Sequence, residues 1–123
     1  MSVWVDVGTL EELRPGAVRV VDIHDEEVAV FNLDGEFFAI RNFCTHDGSP
    51  LVLPELDSAD QIADGKITCP HHGAKFCIRT GAALSPPAYE DTPTFPVREI
   101  NGIVQVRAIS AWLLQGTEIT PDT

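Results

Sequence analysis

Short apolar runs alternate with turn residues along most of this chain. Residues 18–23, 28–33 and 36–41 are rich in β-branched and aromatic side chains, and each reads as a strand. Asp34-Gly35 separates the last two of these, and Asn101-Gly102 separates residues 95–100 from 103–107 in the same way. Both dipeptides tolerate the positive φ of a two-residue turn, so each pair is predicted to close as a hairpin. Thr9-Leu10-Glu11-Glu12 has capping-box spacing and predicts a short helical turn reaching Leu13 or Arg14, ended by Pro15-Gly16. Residues 53–65 are polar and acidic and read as an excursion. Pro86-Pro87 and residues 93–96 mark a stiff loop before the final hairpin. In the tail from Ser110, residues 111–114 are expected to form a helical turn on the sheet, followed by a loose end. The sum is an all-β chain, a small antiparallel sandwich or barrel of short strands.

Length and charge narrow the picture. A chain of 123 residues is read as one domain, 1–123, able to bury a core without disulfide staples. No apolar run approaches the roughly 20 residues a membrane helix needs. The start, Met1-Ser2-Val3-Trp4-Val5-Asp6, lacks the basic-then-apolar layout of a signal peptide. The expectation is therefore a cytoplasmic protein off the membrane. Net charge is −11, and residues 1–60 hold 13 acids against 3 bases, a balance of −10. That balance argues against a nucleic-acid partner, which needs a basic face. It suits docking on basic patches of larger proteins, although acids also serve solubility alone.

Four side chains carry the candidate chemistry. Cys44-Thr45-His46 and Cys69-Pro70-His71-His72 each offer one thiol and one imidazole, with 22 residues between the two segments. In extended backbone, residues two apart point to one side, so Cys44 and His46 can face a common site. Cys69 and His72 are three apart and suit a tight turn set by Pro70, with Gly73 allowing close backbone approach. An equal split of sulfur and nitrogen donors suits a two-iron cluster with chemically different ends. A tetrahedral zinc site of two cysteines and two histidines is the rival, although familiar zinc modules pair like with like. Cys77 makes the cysteine count odd and argues against a disulfide framework. It reads as a small buried apolar residue of a strand. His71 reads as a loop residue and His24 as a surface histidine at a strand end.

The segments Cys44-Thr45-His46-Asp47-Gly48 and Cys69-Pro70-His71-His72-Gly73-Ala74-Lys75-Phe76 resemble the two cluster-binding boxes of Rieske [2Fe–2S] proteins. More narrowly, residues 3–107 resemble the small Rieske ferredoxins of bacterial aromatic-ring dioxygenase systems of the biphenyl, carbazole and naphthalene type. Arg79-Thr80-Gly81, Pro86-Pro87 and Phe95-Pro96-Val97 belong to that likeness. It implies a Rieske domain: an antiparallel β-sandwich with a small cluster-binding subdomain at about residues 42–88. It implies a Rieske-type [2Fe–2S] cofactor, with Cys44 and Cys69 on the inner iron and His46 and His72 on the outer one. Pro86 and Pro87 would lie on a third loop that shields the cluster.

The implied function is electron transfer and not catalysis. An NAD(P)H-dependent ferredoxin reductase would supply single electrons, and a terminal Rieske oxygenase would receive them. The alternative is a small subunit of a larger redox enzyme, such as NADH-dependent nitrite reductase. Three departures from the wider family matter. Ser49 and His71 stand where respiratory Rieske proteins carry an extra disulfide pair. Ala74 stands where those proteins place a serine that donates to the cluster, which implies a potential near the low end of the Rieske range, about −150 mV. The stretch between the boxes is longer than in typical small ferredoxins.

Overall fold

A computed structural model describes residues 4–23, 26–45, 48–52, 61–70, 73–86 and 88–107. Its strands are β1 (Trp4–Thr9), β2 (Val18–Ile23), β3 (Glu26–Leu33), β4 (Glu36–Arg41), β5 (Ile62–Ala63), β6 (Lys66–Thr68), β7 (Lys75–Cys77), β8 (Thr94–Phe95), β9 (Val97–Ile100) and β10 (Ile103–Arg107). They form three antiparallel sheets, in the orders β1-β10-β9, β2-β3-β4-β8 and β5-β6-β7. Among the described residues no helix is long and apolar enough to cross a membrane. The predicted tail from Ser110, with its helical turn at 111–114, and residues 53–60 of the excursion lie outside the described residues.

Both predicted hairpins form. Asp34 and Gly35 turn at φ 55° and 97°, and Asn101 and Gly102 at 54° and 81°. Asn32 tightens the first turn, accepting from Gly35 N on Oδ1 at 2.7 Å and donating through Nδ2 to Leu13 O at 2.7 Å. The capping box also forms, as a hydrogen-bonded turn. Thr9 N donates to Glu12 Oε1 and Glu12 N to Thr9 Oγ1, both at 3.1 Å.

The middle sheet is buried on both faces. Val28 and Val30 of β3 join a core with Val104 and Val106 of β10, while Ala29 and Phe31 join a second core with Ile67 and Phe76 of β6 and β7. This explains the unbroken apolar run Val28-Ala29-Val30-Phe31, since a strand covered on both sides has no polar face. The molecule is thus layered: an outer sheet of β1, β9 and β10, the middle sheet, and the small sheet of β5–β7. The small sheet carries Cys69.

Two differences from the sequence reading have clear causes. The strand expected over 95–100 is divided. Phe95 pairs with Ala39 of β4, whereas Val97 pairs with Val106 of β10. Pro96 sits at the division, where the missing N–H interrupts a continuous ladder. The end of the supposed excursion is itself a hairpin, with β5 and β6 joined at Asp64 and Gly65, whose φ values are 54° and 74°.

Candidate metal centre

Cys44 follows β4, and Cys69 joins β6 to β7. Each opens a turn with the same hydrogen bonds. Cys44 N donates to Ser49 O at 2.7 Å and Gly48 N returns to Cys44 O at 2.7 Å. Cys69 N donates to Ala74 O at 2.7 Å and Gly73 N returns to Cys69 O at 3.0 Å. The closing glycines have φ of 82° and 77°, a region that disfavours any side chain. Gly73 therefore serves turn closure first; a Cβ there would meet no atom within 4 Å. The first turn closes on the Cys44 carbonyl, and His46 and Asp47 within it lie outside the described residues.

The two cysteines share one core. Cys44 is fully buried and Cys69 is 1% exposed, both packed in the layer with Ile67, Ala74 and Phe76. Neither forms a disulfide. A third loop is fastened over this end. Leu84 N donates to Lys75 O at 2.8 Å and Lys75 N to Ser85 Oγ at 3.1 Å. Thr45 Oγ1 donates to Glu90 O at 2.6 Å, and Asp91 Oδ1 accepts from Ala83 N at 2.9 Å. Pro86 lies on this loop, as expected. Pro87, His46, His71, His72 and His24 lie outside the described residues. Among the described residues no three His, Cys, Asp or Glu side chains form a metal-holding group.

Cys77 differs from the expectation of a buried apolar residue. It lies at the end of β7, as predicted, but is only partly buried. It opens a third turn of the same form: Cys77 N donates to Ala82 O at 2.9 Å and Gly81 N to Cys77 O at 2.7 Å. A hydrogen bond from the Thr80 side chain holds its thiol below the usual range, aided by the Thr80 and Arg79 amides and the Arg79 charge. Turn shape alone therefore does not mark a ligand; the shared core sets Cys44 and Cys69 apart.

Two positioning residues escaped the sequence reading. Asn42 is 6% exposed and accepts from Val52 N on Oδ1 at 2.7 Å, with Nδ2 donating to Glu27 Oε1 at 3.1 Å. Gln61, at the end of the acidic excursion, is also 6% exposed and donates to Leu51 O. Neither leaves a periodic signal in the sequence. Away from this end, a groove of about 460 Å³ lies between the turns at Asp34-Gly35 and Asp64-Gly65, with Arg79 in its wall. These turns are at the strand ends opposite Cys44 and Cys69.

Two buried thiols on separate, equivalent turns form a donor pair suited to one metal group held between loops. A profile of the Rieske [2Fe-2S] domain matches residues 3–96. The chain belongs to the Rieske family. Its cofactor is accordingly a Rieske-type [2Fe–2S] cluster, and the buried thiol pair fits the sulfur-ligated end of such a group. The 3-phenylpropionate/cinnamic acid dioxygenase ferredoxin subunit of Photorhabdus laumondii is 36% identical over 81% of this chain and 90% of its own length. The ferredoxin of carbazole 1,9a-dioxygenase from Nocardioides aromaticivorans superposes with a TM-score of 0.73 at 29% identity, covering 88% of this chain and 100% of that one. A chain from the complex of reduced oxygenase and oxidized ferredoxin in carbazole 1,9a-dioxygenase gives 0.76 at 28% identity, covering 89% and 97%.

Proposed function

We propose that this Rieske protein is a one-electron carrier between an NAD(P)H-dependent ferredoxin reductase and a terminal Rieske non-haem iron oxygenase. The observation that carries the reading is the pair of buried cysteines on matching turns in one core. Cys44 and Cys69 hold the inner iron, and His46 and His72 hold the outer one. The chain acts as a single domain, 1–123, with residues 42–88 as its cluster-binding subdomain. Relatives that match over most of their own length are named as ferredoxin subunits of dioxygenase systems, which supports a separate carrier over a built-in enzyme subunit.

When bound, the cluster takes up and gives back one electron. The protein contributes burial, fixed geometry and a docking surface. The packed layer around the thiols excludes water, and the hydrogen-bonded turns limit movement as charge changes. On the loop fastened to both cysteine segments, Leu84 is 47% and Tyr89 is 80% exposed. Glu90 and Asp91 follow Tyr89. This combination suits a partner with an apolar notch and a basic rim.

Anaerobic stopped-flow mixing tests the role. NADH should reduce the protein only when a flavin ferredoxin reductase is present, and an oxidised aromatic-ring Rieske oxygenase should reoxidise it. Direct reduction by NADH alone, or no exchange with the oxygenase, contradicts a carrier. His46→Ala and His72→Ala should each abolish the Rieske EPR signal, and an unchanged signal in either removes that ligand.

A further inference from the structure

Gln61 sits where the acidic excursion returns to the small sheet. Its Nε2 donates to Leu51 O, at the exit of the first cysteine turn. The same nitrogen lies 3.4 Å from Thr68 O, one residue before Cys69. Both partners are carbonyls, so this end of the amide must be the NH2 group. Oε1 is then the opposite end, and it is buried with no hydrogen-bond partner among the described residues.

A buried amide is tolerated where its donors are used, and what this nitrogen joins shows the use. Leu51 is fully buried in the core that holds Cys44 and Cys69. The next residue, Val52, is stitched to β4 through Asn42, whose Oδ1 accepts from Val52 N at 2.7 Å and whose Nδ2 donates to Val52 O at 3.3 Å. On the other side, Thr68 ends β6 just before the second turn, with Lys75 Nζ donating to Thr68 Oγ1 at 3.0 Å. Asn42 therefore ties the first turn to the middle sheet, while Gln61 ties it to the strand that leads into the second cysteine.

We propose that Gln61 is a positioning residue that sets the spacing between the Cys44 and Cys69 turns and so holds the cluster in place. The inference rests on the Rieske reading above. Outer-shell partners that orient metal ligands govern both metal retention and potential. A single amide bridging two ligand-bearing segments is such a partner.

Gln61→Met keeps the length and bulk of the side chain and removes both donors. Gln61→Asn keeps the amide but shortens its reach to one carbonyl. Iron and sulfide are measured first in the wild-type protein. Their absence would overturn the cluster reading and, with it, the role given to Gln61. With the cluster present, loss of its visible absorbance in excess EDTA should be about 10- to 100-fold faster in Gln61→Met, with a smaller change in Gln61→Asn. The midpoint potential should shift in the same order. Folded β-structure by circular dichroism with a missing or labile cluster supports the clamp. Wild-type release rate and potential in Gln61→Met would overturn it. Loss of all β-structure in both variants would also overturn it, because Gln61 would then serve the whole fold and not the turns.

Discussion

Cys44, Cys69 and Cys77 open turns with the same hydrogen bonds, yet their side chains meet different surroundings. The first two are enclosed by apolar residues, whereas Cys77 faces the Thr80 hydroxyl and the Arg79 charge. Since both lower its pKa, a larger thiolate fraction exists near neutral pH than for an ordinary thiol. Iodoacetamide should therefore label Cys77 first in the loaded protein, at a rate that rises with pH below the normal thiol range. Cys77→Ser should keep the Rieske spectrum. Its loss would mean that Cys77 belongs to the centre. Ala74, fully buried beside Cys69, offers no hydroxyl. A hydrogen bond to a charged group is worth about 1.5–3 kcal/mol, and 59 mV corresponds to a tenfold change for one electron. Ala74→Ser should raise the midpoint potential by roughly 60–130 mV if its hydroxyl donates toward the cluster. An unchanged or lower potential in voltammetry would remove the account of Ala74.

At the level of elements, the legible parts were those with local signals. Asp34-Gly35 and Asn101-Gly102 announced hairpins because positive φ is rare outside such residues, and Thr9 with Glu12 announced a reciprocal cap. The Glu12 carboxyl is held below its usual pKa chiefly by the Thr9 amide, so its stabilising effect is present above the unfolded carboxylate pKa and fades as pH falls through the folded value. Strands β5, β6 and β7 span only two or three residues, too short for a period to show. β1 went unread because its partner, β10, lies at the other end of the described chain and its register slips between Asp6 and Gly8. For the candidate site, Cys44 and Cys69 were visible as types and spacing. Asn42 and Gln61 were not, because a tie between distant backbone groups leaves no periodic trace. Gly81 closes the Cys77 turn at φ 77°, and a Cβ there would collide with the Thr92 carbonyl. Thr92 N also donates to Gly81 O at 2.8 Å, joining that turn to the segment before β8. Gly81→Ala should cost at least about 1–2 kcal/mol for the backbone alone, with the collision added. Chemical denaturation that shows no loss would mean that this junction yields freely.

Across the whole molecule, a middle sheet covered on both faces couples the outer sheet to the layer that bears Cys69. Phe76, fully buried in that layer, should cost about 3–5 kcal/mol when replaced by Ala, with the cluster lost before the remaining β-structure on heating. Simultaneous loss of both signals would mean that the layers do not separate in stability. A histidine-ligated two-iron cluster in this chain underlies every functional role assigned above. Metal and sulfide analysis, joined to EPR of the dithionite-reduced protein, tests it most directly. About two irons and two sulfides per chain are expected, with a rhombic signal whose average g lies below that of all-cysteine clusters. One zinc and no sulfide, or an all-cysteine signal, would contradict it.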